Sequence, residues 1–191
     1  MPNSTQTNSI QRKIALAQEF ISAVESKNLD SVASTLAVDA QQFFMHTKRN
    51  KTQEGKNEIV SGRNRKALCV ALLQGKEEVL AYTKGLFGKF TPLVWKNHEW
   101  STSADLNQVI FSGKGGMIVE KNGIPYQNNY VTIFEFNGDK IFRMYEYGDA
   151  LMYFSLRIPP NGAEVKSFVH ALKYLIGMKQ LPPTHNPIKQ L

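Results

Sequence analysis

The residues of this chain that could bind a metal or act as nucleophiles are few and scattered. Its four histidines are His46, His98, His170 and His185, and its one cysteine is Cys69. Zinc and non-haem iron sites recruit histidine, cysteine and carboxylate ligands, often in short-range pairs. None of these histidines is paired at such a spacing, so no metal is expected. There is no Gly-x-Ser-x-Gly nucleophile elbow. Gly113-Lys114-Gly115-Gly116 lacks the spacing of a phosphate loop, and a strand is expected after it rather than a helix. Gly85-Leu86-Phe87-Gly88-Lys89 also fails, because two residues separate its glycines and Phe90 stands where serine or threonine is needed. Both read as turns or helix ends, and no cofactor is expected.

The net charge of +7 suggests an acidic partner such as nucleic acid. Its distribution argues otherwise. Residues 47–66 hold seven basic side chains against Glu54 and Glu58, and the chain from Pro159 onward holds four against Glu164. The remainder is slightly acidic. The 47–66 segment has no aromatic residue on which a base could stack. A solvated loop is the preferred reading, and nucleic-acid contact is the weakest alternative. Residues 1–13 have no apolar run of the signal-peptide kind, and no stretch is apolar enough to span a bilayer. A cytoplasmic protein is expected.

Several elements can be read from periodicity. Ile10, Ile14, Ala17, Ile21 and Val24 share one face of a helix over 8–26, capped by Asn8 or Ser9. A second helix fits Leu29 to Leu36 behind an Asn28 cap, and a strand fits 41–46. Val79, Tyr82, Leu86 and Phe90 mark a helix over 76–90. Short strands follow over 95–100, 107–112 and 117–120, with Lys121-Asn122-Gly123 as a turn. Residues 126–136 and 140–148 form a hairpin about Asn137-Gly138-Asp139. A last amphipathic helix carries Val165, Phe168, Val169, Leu172, Leu175 and Ile176 and ends near Gly177. Helices followed by an antiparallel meander define an α+β protein.

This order, with Phe20-Ile-Ser-Ala-Val-Glu-Ser-Lys-Asn-Leu-Asp, Leu36-Ala-Val-Asp-Ala and the hairpin 137–149, resembles the nuclear transport factor 2-like superfamily. Within it, the chain resembles the SnoaL-like group of polyketide cyclases, ketosteroid isomerases and limonene epoxide hydrolases. The resemblance covers residues 8–156, with an insertion at about 47–72. It implies a curved sheet wrapped as a cone around the N-terminal helices, enclosing an apolar pocket. Residues 157–191 are expected to pack a further helix and a tail on the same domain. Pairing of such relatives through the outer sheet implies a homodimer.

The residues that catalyse in such relatives are not matched here. The isomerase tyrosine, aspartate base and second acid fall on Phe20, Phe44 and Thr132. The Arg–Asp pair of the epoxide hydrolases falls near Gly113 and Gly115, while its last acid matches Glu146. If Thr132 and Glu146 point inward, strand alternation brings Tyr126, Asn128, Tyr130 and Phe134 inward with the first, and Phe142 and Met144 with the second. Phe20, Phe44 and His46 could close the pocket's mouth or floor. A carboxyl among Phe and Met would have its pKa raised by desolvation and could transfer protons near neutrality. Glu146 is therefore the candidate acid or base and Tyr130 a candidate hydrogen-bond donor. Two readings stay open: cofactor-free acid–base catalysis on a small hydrophobic molecule, or non-catalytic binding by the same fold.

Overall fold

The computed structural model describes residues 4–46 and 68–176. Its elements in chain order are helices α1 (Ser4–Glu25) and α2 (Leu29–Thr35), strands β1 (Leu36–His46) and β2 (Leu68–Gln74), helix α3 (Lys76–Phe87), strands β3 (Trp95–Thr102), β4 (Gln108–Gly115), β5 (Met117–Ile118), β6 (Pro125–Tyr126), β7 (Asn129–Asn137) and β8 (Lys140–Gly148), and helices α4 (Ala150–Phe154) and α5 (Gly162–Leu175). The basic segment 47–66 lies outside the described residues.

Six strands form one curved sheet in the order β2-β1-β8-β7-β4-β3. All neighbours run antiparallel except β1 and β8, which pair in parallel. The sheet is open at both edges and wraps the helices in the α+β cone implied by the resemblance. The buried stripe of α1, Ile10, Ala17, Phe20, Ile21 and Val24, packs with Phe111, Phe134, Ile141 and Met144 from the concave sheet face. Ring contact between Phe20 and Phe134, 5.9 Å apart and edge-on, joins helix to sheet.

A second apolar cluster lies on the opposite face. Alternation along β1 and β8 puts Phe43 and Tyr145 there, stacked at 5.0 Å, with Cys69, Leu72 and Ala171 of α5. Helix α5 packs chiefly on β2, at the sheet edge, and a Lys166–Glu78 ion pair of 2.7 Å ties it to α3. Burial raises the Cys69 thiol to about 11, so it is a core residue rather than a nucleophile.

Several expectations are revised. Helix α1 begins at Ser4, so neither Asn8 nor Ser9 caps it. Asn28 does cap α2, its Oδ1 accepting from Ser31 N at 3.0 Å. Residues 68–72 of the expected insertion 47–72 belong to strand β2, which pairs with β1 from Gln41↔Gln74 to His46↔Leu68. That apolar run, Leu-Cys-Val-Ala-Leu-Leu, is a strand covered on both sides, which shows no alternation. The single strand expected at 126–136 is broken at Gln127-Asn128, and Tyr126 belongs to a separate β5–β6 ribbon.

Candidate functional site

The concave face of the sheet, α1, α3 and the C-terminal helices line a partly open cavity of about 120 Å³. Glu146 of β8 lines it, along with Phe20, Phe44, Tyr126, Asn128, Tyr130, Thr132 and Met144. Residues 130, 132 and 134 of β7 are buried while their neighbours are less so, the alternation expected of a strand with one face inward. Phe134 points to the same side but is wholly buried in the packing beneath the cavity and does not line it. The side chain of His46 lies outside the described residues.

Phe142 does not line the cavity either. The pairing of β7 with β8 slips between Glu135↔Arg143 and Phe136↔Ile141. The extra residue in β8 is a bulge, which reverses the alternation on one side of it. Ile141, rather than Phe142, therefore joins Met144 in the inner core, and Phe142 lies under the Arg143 guanidinium at 4.7 Å.

Glu146 has little support for a negative charge. Gln42 Nε2 donates to its Oε2 at a long 3.4 Å. Arg143 is turned away, bonding Gln41 Oε1 at 3.1 Å and Glu135 at 3.3 Å. By area Glu146 is only half-buried, and what it faces is a largely apolar cavity that is partly open to solvent. Desolvation raises its pKa to about 7, with the Gln42 bond pulling the other way. Near neutrality both protonation states are populated, the condition a general acid or base needs.

Two phenols stand beside it. The Tyr126 hydroxyl accepts from Asn128 Nδ2 at 3.0 Å, and the Tyr126 and Tyr130 rings meet edge-on with centroids 6.2 Å apart. Burial raises Tyr126 to about 12 and holds Tyr130 well above the ordinary phenol value, so both remain protonated. Asn128 has a second task. Its Oδ1 accepts from Asp149 N at 3.1 Å and its Nδ2 donates to Asp149 O at 3.2 Å, clamping the end of β8 to the segment between β6 and β7.

Further lining residues were not anticipated. Gln42 has the same strand parity as Phe44, which was the available signal. Tyr82 follows the core stripe of α3 and packs on Phe44 at 4.9 Å. Tyr153 and Glu164 come from α4 and α5. Glu164 and Asn161 form a capping box, Asn161 Oδ1 accepting from Glu164 N at 3.0 Å and Glu164 Oε2 from Asn161 N at 2.7 Å. The spacing Asn-x-x-Glu was legible in the sequence. The rest of the arrangement was not: the Glu164 carboxylate also accepts from the Tyr153 hydroxyl and pairs with Lys89 from beyond α3.

The positions matched to the isomerase acid and base, Phe20, Phe44 and Thr132, all line this cavity. The first two are hydrocarbon and the third a hydroxyl. Gly113 and Gly115, matched near the epoxide hydrolase pair, have no room for a side chain. A Cβ at Gly113 would lie 2.7 Å from Phe111 Cζ, and one at Gly115 2.9 Å from Tyr126 O.

An open α+β cone is the fold of SnoaL-like domains. The family model of the SnoaL-like domain matches residues 17–144, more than half of the chain, and the protein belongs to that family. Solved structures share the fold. A phenazine biosynthesis-related protein from Pseudomonas aeruginosa matches with a TM-score of 0.58 and 14% identity, over 84% of this chain and 91% of its own. A putative isomerase from Bacillus subtilis gives 0.56 and 18%, over 74% and 89%. An LEH-like epoxide hydrolase from M. tuberculosis gives 0.51 and 14%, over 88% and 98%. At these identities the likeness is one of fold. No protein with a curated description matches the sequence. The family match ends at residue 144, so Glu146, Tyr153 and Glu164 lie beyond it. No helix among the described residues is long and apolar enough to cross a membrane.

Proposed function

We propose that the protein binds a small hydrophobic molecule in the cone and acts on it by cofactor-free acid–base chemistry. Glu146 moves the proton, and the Tyr130–Tyr126 pair supplies the hydrogen bond to an oxygen or nitrogen of the ligand. The supporting observation is the Glu146 carboxyl, raised to about 7 inside an apolar cavity and held only by a neutral amide among the described residues. Fold relatives that include an isomerase and an epoxide hydrolase by name are in keeping with this reading. The protein is proposed to act as a homodimer in the cytoplasm; sedimentation at micromolar concentration tests the first part.

The presence of Phe20, Phe44 and Thr132 in place of catalytic groups favours a second reading, non-catalytic binding. One experiment separates the two. The protein and its Glu146→Gln variant are incubated with a small-molecule extract, and both solution and protein-bound fractions are profiled by mass spectrometry. Compounds consumed by the parent but not by the variant support catalysis. Compounds retained unchanged by both support binding alone.

A further inference from the structure

The charge of the cavity wall is opposite to that of the chain. Three carboxylate residues line it, Glu146, Asp149 and Glu164, and no lysine, arginine or histidine does so among the described residues. In a protein of net charge +7 this is not a reflection of composition. Two of the three acids are already engaged. Asp149 caps α4, its Oδ1 accepting from Leu151 N at 2.9 Å, and Glu164 is paired with Lys89 behind the wall. Glu146 alone faces the cavity with no cation against it.

The surroundings of Glu146 are aromatic. Trp95 and Tyr130 meet at 83° with centroids 5.9 Å apart, and Tyr130 and Tyr126 at 88° and 6.2 Å, so Tyr130 stands edge-on to a ring on either side. Tyr82 and Phe44 form a third pair, with centroids 4.9 Å apart. Ring faces carry the negative part of the aromatic quadrupole and attract cations, most strongly where water is excluded.

We propose that the cavity takes a ligand bearing a positively charged nitrogen, an amine or quaternary ammonium group seated against Glu146 among these rings, and that it excludes carboxylates. The proposal rests on the reading that the cone binds small apolar molecules and specifies their charge. An ionised Glu146 is costly in a largely apolar cavity, and a cationic ligand supplies the counter-charge that no described residue provides. A fatty acid or other anion would meet carboxylates of its own sign. The remaining groups facing Glu146 are Gln42 from β1, Tyr82 from α3, Tyr126 from β6 and Tyr130 from β7. The amide does not titrate, and the phenols stay protonated over the working range. The carboxylates Asp149 and Glu164 stand on the same wall, so the part of the pH dependence that is lost in Glu146→Gln is the part that reports on Glu146.

The test compares benzyltrimethylammonium, its uncharged carbon isostere neopentylbenzene, and phenylacetate, by calorimetry and displacement at pH 5.5 and pH 8. The expected result is binding of the cation at pH 8 at least about tenfold tighter than the isostere, with phenylacetate weakest. The advantage should shrink at pH 5.5 and in Glu146→Gln. At pH 7, binding of the cation should release protons, read from the heats in two buffers of different ionisation enthalpy. This second measurement uses the parent protein, so it stands even if the variant folds poorly. Tight binding of the isostere with no preference for the cation overturns the proposal while leaving an apolar binding site intact. Preference for phenylacetate also overturns it. Binding of neither cation nor isostere overturns both the proposal and the reading beneath it.

Discussion

Gln42 of β1 and Glu146 of β8 meet across the parallel pairing of the sheet, amide Nε2 to carboxylate Oε2 at 3.4 Å. The contact requires a parallel neighbour between strands about a hundred residues apart in sequence. Among the described residues the side-chain hydrogen bond to Glu146 therefore comes from a residue with no charge to offer.

Stability should therefore fall as pH rises through neutrality. The Glu146 pKa is raised from 4.5 to about 7 by burial. Below the unfolded value both states are protonated and there is no penalty. Between the two values the unfolded state loses its proton first, and above about 7 the folded state carries the full cost of the buried charge. By linkage the difference is on the order of 3 kcal/mol. Urea midpoints at pH 5 and pH 8 should fall for the parent relative to Glu146→Gln. Parallel pH profiles for the two proteins would show that Glu146 is not desolvated.

Removing the amide should raise the Glu146 pKa further, because the Gln42 bond is the one contribution that lowers it. In Gln42→Leu the carboxyl resonance followed by NMR should titrate above the parent's value. An unchanged titration would mean that the 3.4 Å contact carries no weight.

Helix α5 should depend on Glu164. This carboxylate is 2% exposed and accepts from Lys89, Tyr153 and the Asn161 amide. Glu164→Ala leaves Lys89 in a mostly buried position without its counter-charge and removes the capping box. A loss of about 3–5 kcal/mol is expected, with faster hydrogen exchange across α5. The double variant Lys89→Met/Glu164→Gln should recover most of that loss, since no unpaired charge remains. If Glu164→Ala costs no more than an exposed substitution, the pair is not what holds the helix.

Asn128→Ala should cost about 1–3 kcal/mol, the range for unsatisfied buried groups. It frees the Asp149 amide and carbonyl and removes a donor from the Tyr126 hydroxyl. Crystallography of the variant should find the β8 end displaced from the segment joining β6 and β7. Unaltered stability would argue that water replaces the side chain without cost.

The sequence was sufficient for the α+β class, the hairpin of β7 and β8, and the inward set Tyr130, Thr132 and Phe134. These follow from periodicity and turn chemistry, which are local, together with a family resemblance. It was also sufficient to separate the basic segment from the rest of the chain. Tertiary structure decided everything that depends on which strand lies beside which. Register decides that Gln42 faces Glu146. A one-residue bulge replaces Phe142 by Ile141 on the inner face, because strand alternation has a period of two and one inserted residue inverts it. Packing of α4 and α5 against the cone brings Tyr153 and Glu164 to its wall and Lys89 behind it, residues separated by up to 75 positions. Composition records a chain of net positive charge; only folding places uncompensated acid in its cavity, because burial acts on individual side chains and not on the sum of their charges.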